Sequence, residues 1–123
     1  MLLKNKTAVI TGCNRGIGLS ILKKFSENKC NIIACNKTNN EEFLSFCEET
    51  KKKQNINIKV INIDLSEQEK VKEAANKILL EDEKIDILVN NAGINQTSLM
   101  QMTSLKKLKE VFDINFFHHI YYS

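Results

Sequence analysis

Two kinds of hydrophobic pattern alternate along the chain. Short runs rich in Ile and Val, bounded by polar residues, occupy 6–11 (KTAVIT), 31–35 (NIIAC), 59–64 (KVINID) and 85–90 (IDILVN). Their length and composition predict parallel strands covered on both faces. Between them, 17–27, 41–54 and 67–81 are each long enough for three or more helical turns. Ser66 and Glu69 have the spacing of a capping box before the third helix, and Asn39 or Asn40 can cap the second.

Strict alternation of strand and helix implies right-handed crossovers and a parallel sheet, that is, an α/β doubly wound arrangement. A chain of 123 residues without proline or a low-complexity linker is expected to form one domain, 1–123. After Gly93 the pattern changes to a polar loop, 94–103, and then to a helical stretch from Ser104. No fifth strand is expected, which would leave the fourth as an exposed apolar edge.

Composition narrows the partners. With 42% hydrophobic and 27% charged residues the chain has globular composition, and no run approaches the ~20 apolar residues of a membrane span. The opening MLLKNK has no signal-type apolar core, so a cytoplasmic protein without a membrane partner is expected. A net charge of +3, with Lys51–Lys53 at an expected helix end, gives no reason to expect nucleic acid. The four cysteines form no Cys-x-x-Cys pair, and His118 and His119 point about 100° apart on a helix, so no metal is expected. Cys30 and Cys35 bracket an apolar run and read as small buried hydrophobes.

The chemistry gathers around glycine. The chain has four, and three of them, Gly12, Gly16 and Gly18, lie in TGCNRGIGLS where the first strand runs into the first helix. In parallel α/β sheets ligands sit beyond the carboxyl ends of the strands, where a helix N-terminus offers N–H groups to a phosphate. Gly12 would allow the turn, Gly16 the close passage of a pyrophosphate, and Gly18 the packing of helix on sheet. The fourth glycine, Gly93, closes Asn90-Asn91-Ala92-Gly93 directly after the fourth strand. All four would flank one crevice if the strand order is 3-2-1-4.

These two motifs, Thr-Gly-x-x-x-Gly-x-Gly and Asn-Asn-Ala-Gly at this separation, resemble the N-terminal half of the short-chain dehydrogenase/reductase family. The resemblance implies a Rossmann-type sheet with strands one to four in the order 3-2-1-4, and an NAD(P)-dependent oxidoreductase. The fragment ILVNNAGINQTSLMQM is similar to the corresponding segment of 3-oxoacyl-[acyl-carrier-protein] reductases, enzymes of fatty acid biosynthesis. Residue by residue, the family pattern implies that Gly12, Cys13, Asn14, Arg15, Gly16, Ile17 and Gly18 line or shape the site of the pyrophosphate and adenosine ribose. Asp64 and Leu65, at the end of the third strand, match the pair that holds adenine. Asn91, Ala92 and Gly93 would pass beside the nicotinamide ribose, and Asn115 matches a helix asparagine that supports a catalytic proton relay. Competing readings remain for several of these: Asp64 can begin the cap of the third helix, Asn91 can be a turn residue, and Asn115 an ordinary helix residue.

The end of the second strand bears on the cofactor. Where members that use NAD carry an acidic residue for the ribose hydroxyls, this chain has Asn36, followed by Lys37, while Arg15 sits in the glycine loop. Two cations and no anion at that point lead to an expectation of NADP over NAD. The family's catalytic serine and Tyr-x-x-x-Lys find no match, since the tyrosines are Tyr121 and Tyr122. The chain is therefore expected to be an N-terminal half, truncated before those residues and inactive alone. Its complete form would be a homo-oligomer acting on a small carbonyl or acyl thioester substrate. The alternatives are a non-catalytic dinucleotide-binding or interaction module, and the remnant of a reductase gene.

Overall fold

Successive strand residues point to opposite faces, so a run that is apolar throughout must be covered on both sides. The computed structural model, which describes residues 3–64, 66–81, 85–91 and 98–101, contains such a sheet. The elements follow in the order β1 (Thr7–Thr11), α1 (Gly16–Glu27), β2 (Asn31–Asn36), α2 (Glu41–Gln54), β3 (Ile58–Asn62), α3 (Gln68–Glu81), β4 (Ile87–Asn90) and β5 (Ser98–Gln101). The sheet order is β3-β2-β1-β4-β5. Strands β1 to β4 are parallel, with Val9 opposite Ile33 on one side and Leu88 on the other.

Each strand divides its apolar residues between two cores. Ala8, Ile10, Ile32 and Ala34 pack with Leu22 of α1 and with Phe43 and Cys47 of α2. Val9, Ile33, Cys35 and Leu88 pack on the other face with Val71 and Ile78 of α3. The helices present matching stripes: Gly18, Leu22 and Ser26 in α1, and Phe43, Cys47 and Thr50 in α2, are buried at helical spacing. Burying a side chain such as Leu22 in full stabilises the fold by about 1.5–3 kcal/mol.

Helix ends follow local chemistry. Of the two candidate caps for α2, Asn40 serves, its Oδ1 accepting from the Phe43 N–H at 2.8 Å. Glu41 and Glu42 lie in the first turn and Lys51–Lys53 in the last, each sign at the favourable end of the helix dipole. Asn55 then terminates the helix in the left-handed region at φ 56°. Helix α3 starts two residues beyond Ser66, whose hydroxyl donates to Asp64.

Two expectations are corrected. A fifth strand exists: β5 pairs antiparallel with β4, with Leu88 opposite Met100 and Val89 opposite Leu99. Its four residues are too short and too poor in β-branched side chains to stand out in sequence; the outer edge of β4 supplies its partner groups. Strand β4 is thus interior and not an exposed edge. Strand β3 ends at Asn62, opposite the last residue of β2, and one further bond joins the Ile63 N–H to the Asn36 carbonyl. Asp64 accordingly lies in the loop beyond the strand, drawn into a turn by the Ser66 N–H.

At the amino ends of β1 and β4 the chain is tied twice. The Asp86 N–H donates to the Thr7 carbonyl at 2.9 Å, and the Thr7 N–H donates to Asp86 Oδ2 at 3.0 Å. Asp86 is buried, so removing its carboxylate leaves a donor without this acceptor. Asp86→Ala is expected to lower stability by about 1–3 kcal/mol in urea unfolding, with Asp86→Asn showing less than half of that loss because an acceptor oxygen remains.

Candidate functional site

The site begins where β1 leaves the sheet. Gly12 and Gly16 both turn through the left-handed region, at φ 63° and 60°, and so bend the loop back to start α1. A Cβ on Gly16 would meet no atom of the described residues within 4 Å, so the space beside its backbone is open. Gly18 is different. A Cβ there would lie 2.0 Å from the Gly12 carbonyl oxygen and 2.6 Å from Asn91 Nδ2.

The close approach at Gly18 makes a junction of three segments. Asn91 Nδ2 donates to the Gly12 carbonyl at 3.0 Å, and the Asn91 N–H donates to Thr11 Oγ1 at 2.9 Å. The Thr11 hydroxyl in turn donates to Asn90 Oδ1 at 3.1 Å. The carboxyl ends of β1 and β4 and the first turn of α1 are thereby fixed together. Among the described residues no side chain caps the N-terminus of α1, and its first turn holds no acidic residue. Its backbone N–H groups and positive dipole end are suited to an anion.

Next to this turn lies a polar crevice of about 800 Å³, lined by Gly12, Asn14, Arg15 and Gly16 from the glycine loop. Asn36, Lys37, Thr38 and Asn40 follow from the end of β2, Ile63, Asp64 and Ser66 from beyond β3, and Asn91 from the end of β4. Its floor is held by asparagines. Asn36, 2% exposed, accepts from the Cys13 N–H at 2.7 Å and donates to Asn39 Oδ1 at 2.8 Å. Asn39 passes the chain on to Asn62, and Asn14 Nδ2 donates to the Thr38 carbonyl at 2.8 Å.

Charge sits at the rim. Lys37 Nζ lies 3.8 Å from Asp64 Oδ2, with the lysine side chain 74% exposed. The Ser66 hydroxyl and N–H, both donating to Asp64 Oδ1, hold the carboxyl below the usual carboxylate range, and Lys37 adds to the effect. The four cysteines are buried and unpaired as disulfides. Burial pushes the thiols of Cys13 and Cys35 up from 9.0 to about 12, and those of Cys30 and Cys47 to about 11.

Of the residues singled out in sequence, Gly12, Asn14, Arg15, Gly16, Asn36, Lys37, Asp64 and Asn91 meet around this one crevice. Cys13 does not face it: its Sγ points back to the Ile10 carbonyl, and the residue contributes an N–H to Asn36. Gly18 packs beneath the loop. Ile17, 67% exposed, lies on an apolar groove of α1 with Ile21 and Phe25. Leu65, Ala92, Gly93 and Asn115 lie outside the described residues. Thr11, Thr38, Asn39 and Ser66 were not singled out for the site. Thr11 could have been, because it heads the glycine motif one residue before the turn.

Comparison with known proteins agrees with this geometry. The family model described as short chain dehydrogenase matches residues 6–123. The chain belongs to the short-chain dehydrogenase family. It is 35% identical over 114 residues to the 3-oxoacyl-[acyl-carrier-protein] reductase FabG of Chlamydia muridarum, covering 93% of this chain and 46% of that protein. It is 32% identical over 117 residues to a 3alpha-hydroxysteroid dehydrogenase of Mediterraneibacter gnavus, covering 94% of this chain and again 46% of the relative. The chain thus spans less than half the length of these curated relatives. Among solved structures, L-sorbose reductase from Gluconobacter frateurii, complexed with NADPH and L-sorbose, superimposes with a TM-score of 0.66 at 26% identity, over 87% of this chain and 40% of that one. The sheet is of the Rossmann type that the short-chain dehydrogenases share.

Two outcomes follow from the geometry. Gly16→Ala meets only backbone strain and is expected to cost about 1–2 kcal/mol. Gly18→Ala drives a methyl into a carbonyl and should cost about 3 kcal/mol or more; equal midpoints for the two variants in urea unfolding would refute the junction.

The thiols give a second test. A thiol whose folded pKa exceeds its unfolded one keeps its proton more tightly in the folded state. Its contribution to stability is complete below pH about 9 and declines as pH rises towards about 12. Thiol titration at pH 8 should find no fast-reacting cysteine in the native chain and four in denaturant, and stability should fall as pH rises from about 9 towards 12.

Proposed function

We propose that this crevice holds the adenosine and pyrophosphate portion of NADP(H), and that the chain is the cofactor-binding part, residues 1–123, of a carbonyl reductase. The observation that carries the reading is the crevice itself: two cations, Arg15 and Lys37, line it beside the open backbone of Gly16 and the uncapped start of α1. The N–H groups of α1 would receive the pyrophosphate, and Arg15, beside the adenosine ribose, would face a 2′-phosphate. Lys37, directly after β2, would meet a 2′-phosphate, and Asn36 presents no negative charge against one. Asp64 and Leu65 would hold adenine, and Asn91, Ala92 and Gly93 would run beside the nicotinamide ribose.

When bound, the cofactor would supply the hydride. The protein's part within these residues is to orient it: the glycine loop fixes the pyrophosphate, and the junction at Asn91 fixes β4 against that loop. Asn115 would support a proton relay, as its family match implies. A 3-oxoacyl thioester is the substrate class we favour, on the strength of the similarity to the Chlamydia reductase. The second reading is a dinucleotide-binding module without catalysis; a coding frame that continues beyond codon 123 into a strand, a serine and Tyr-x-x-x-Lys separates the two in favour of the reductase.

Cofactor choice is the direct test. One charge-assisted contact to a phosphate changes affinity about tenfold or more. Calorimetric titration of the chain should give tighter binding of NADP⁺ than of NAD⁺. Lys37→Ala or Arg15→Ala should weaken NADP⁺ about tenfold and leave NAD⁺ nearly unchanged. Equal weakening of both cofactors would mean that these residues support the loop and do not read the phosphate.

A further inference from the structure

We propose that Asp64 sets the strength of the crevice's preference for a 2′-phosphate, because its carboxylate competes with that phosphate for Lys37. The inference rests on the nucleotide reading above and adds a specificity-determining residue to it. Three observations carry it. Lys37 does not stand alone at the rim: its ammonium lies 3.8 Å from Asp64 Oδ2. That separation is an ion pair longer than a hydrogen bond, and the lysine is 74% exposed, so the pairing is weak and Lys37 is able to leave it. Asp64 is not able to follow. Its other oxygen, Oδ1, accepts from the Ser66 N–H at 2.9 Å and from the Ser66 hydroxyl at 2.7 Å, which fixes the carboxylate in place.

The consequence is an opposition built into the rim. A doubly charged phosphate draws Lys37 away from Asp64, and the carboxylate then stays behind on the same side of the crevice, with its charge no longer neutralised. Part of what Lys37 contributes to phosphate binding is therefore cancelled, by the lost ion pair and by repulsion between like charges. Affinity for a nucleotide without the 2′-phosphate contains neither loss. Asp64 thus narrows a preference that Lys37 and Arg15 create.

Asp64→Asn tests this effect, since asparagine keeps an Oδ1 acceptor for both Ser66 bonds and removes the charge, while any change in an adenine contact is common to both nucleotides and cancels in their ratio. The measurement is the ratio of the dissociation constants of 5′-AMP and 2′,5′-ADP, titrated into the wild-type chain, Asp64→Asn, Lys37→Ala and the double variant. We expect the ratio to rise about three- to tenfold in Asp64→Asn at about 20 mM salt, and the rise to shrink at about 500 mM salt. In the Lys37→Ala background the same substitution should give a smaller gain. An unchanged or lower ratio in Asp64→Asn overturns the proposal while leaving the nucleotide reading intact, as does equal weakening of both nucleotides. An equal gain with and without Lys37 overturns the competition. If the wild-type chain binds neither nucleotide, the nucleotide reading falls and this inference falls with it.

Discussion

The site depends on one contact, the hydrogen bond from Asn91 Nδ2 to the Gly12 carbonyl, made across the space where Gly18 has no side chain. Three segments far apart in sequence meet there. With a Cβ on Gly18, α1 would stand away from the end of β1, and the Asn91 amide would lose its acceptor. Without Asn91, the Gly12 carbonyl would face into the junction with one partner fewer. The Thr11 hydroxyl completes the tie by accepting from the Asn91 N–H and donating to Asn90. The aim of the α1 N-terminus is therefore set by packing and hydrogen bonds beneath it, leaving its outer side for a ligand.

A second set of amides does for β2 and β3 what Asn91 does for β4. Asn36 takes the Cys13 N–H and passes its own amide to Asn39, which reaches Asn62. Strand ends carry backbone and side-chain polar groups that the ladder no longer satisfies, and here they satisfy one another. Among the described residues no buried side-chain nitrogen or oxygen lacks a partner. A floor whose polar groups already satisfy one another needs less rearrangement when a ligand arrives, which lowers the ordering cost of binding.

Much of this was legible in the sequence, for reasons that can be traced to particular residues. The run Ala8-Val9-Ile10 is apolar at every position because it feeds two cores, and that reads as a buried parallel strand. The i, i+4 spacing of Phe43 and Cys47, after Asn40, gives α2 and its start. The family itself was legible because its two motifs encode the Gly18 and Asn91 junction. Three things were not. Strand β5 is set by the free edge of β4 and not by its own four residues. The end of β3 is set by where its partner β2 stops and by the turn at Ser66. The direction of Asn36 follows from strand parity: it shares a face with Ile32 and Ala34, which look towards the glycine loop, so its amide turns inward to Cys13. Read singly, as the residue where an acid would stand, it suggests a reader of the ribose.

That inward turn separates two roles that sequence position alone merges. Cys13 and Asn36 lie in the motif region yet serve the scaffold, one through its buried thiol and backbone N–H and the other through its amide. Arg15 and Lys37, their near neighbours, point outward and are exposed. At the end of β2, alternation along the strand places the inward amide of Asn36 next to the exposed Lys37. Changes at Arg15 or Lys37 therefore act on the electrostatics of the rim, while changes at Cys13 or Asn36 act on the shape of the loop. Exposed charges at the rim can therefore be exchanged without disturbing the junction that holds the sheet and α1 together.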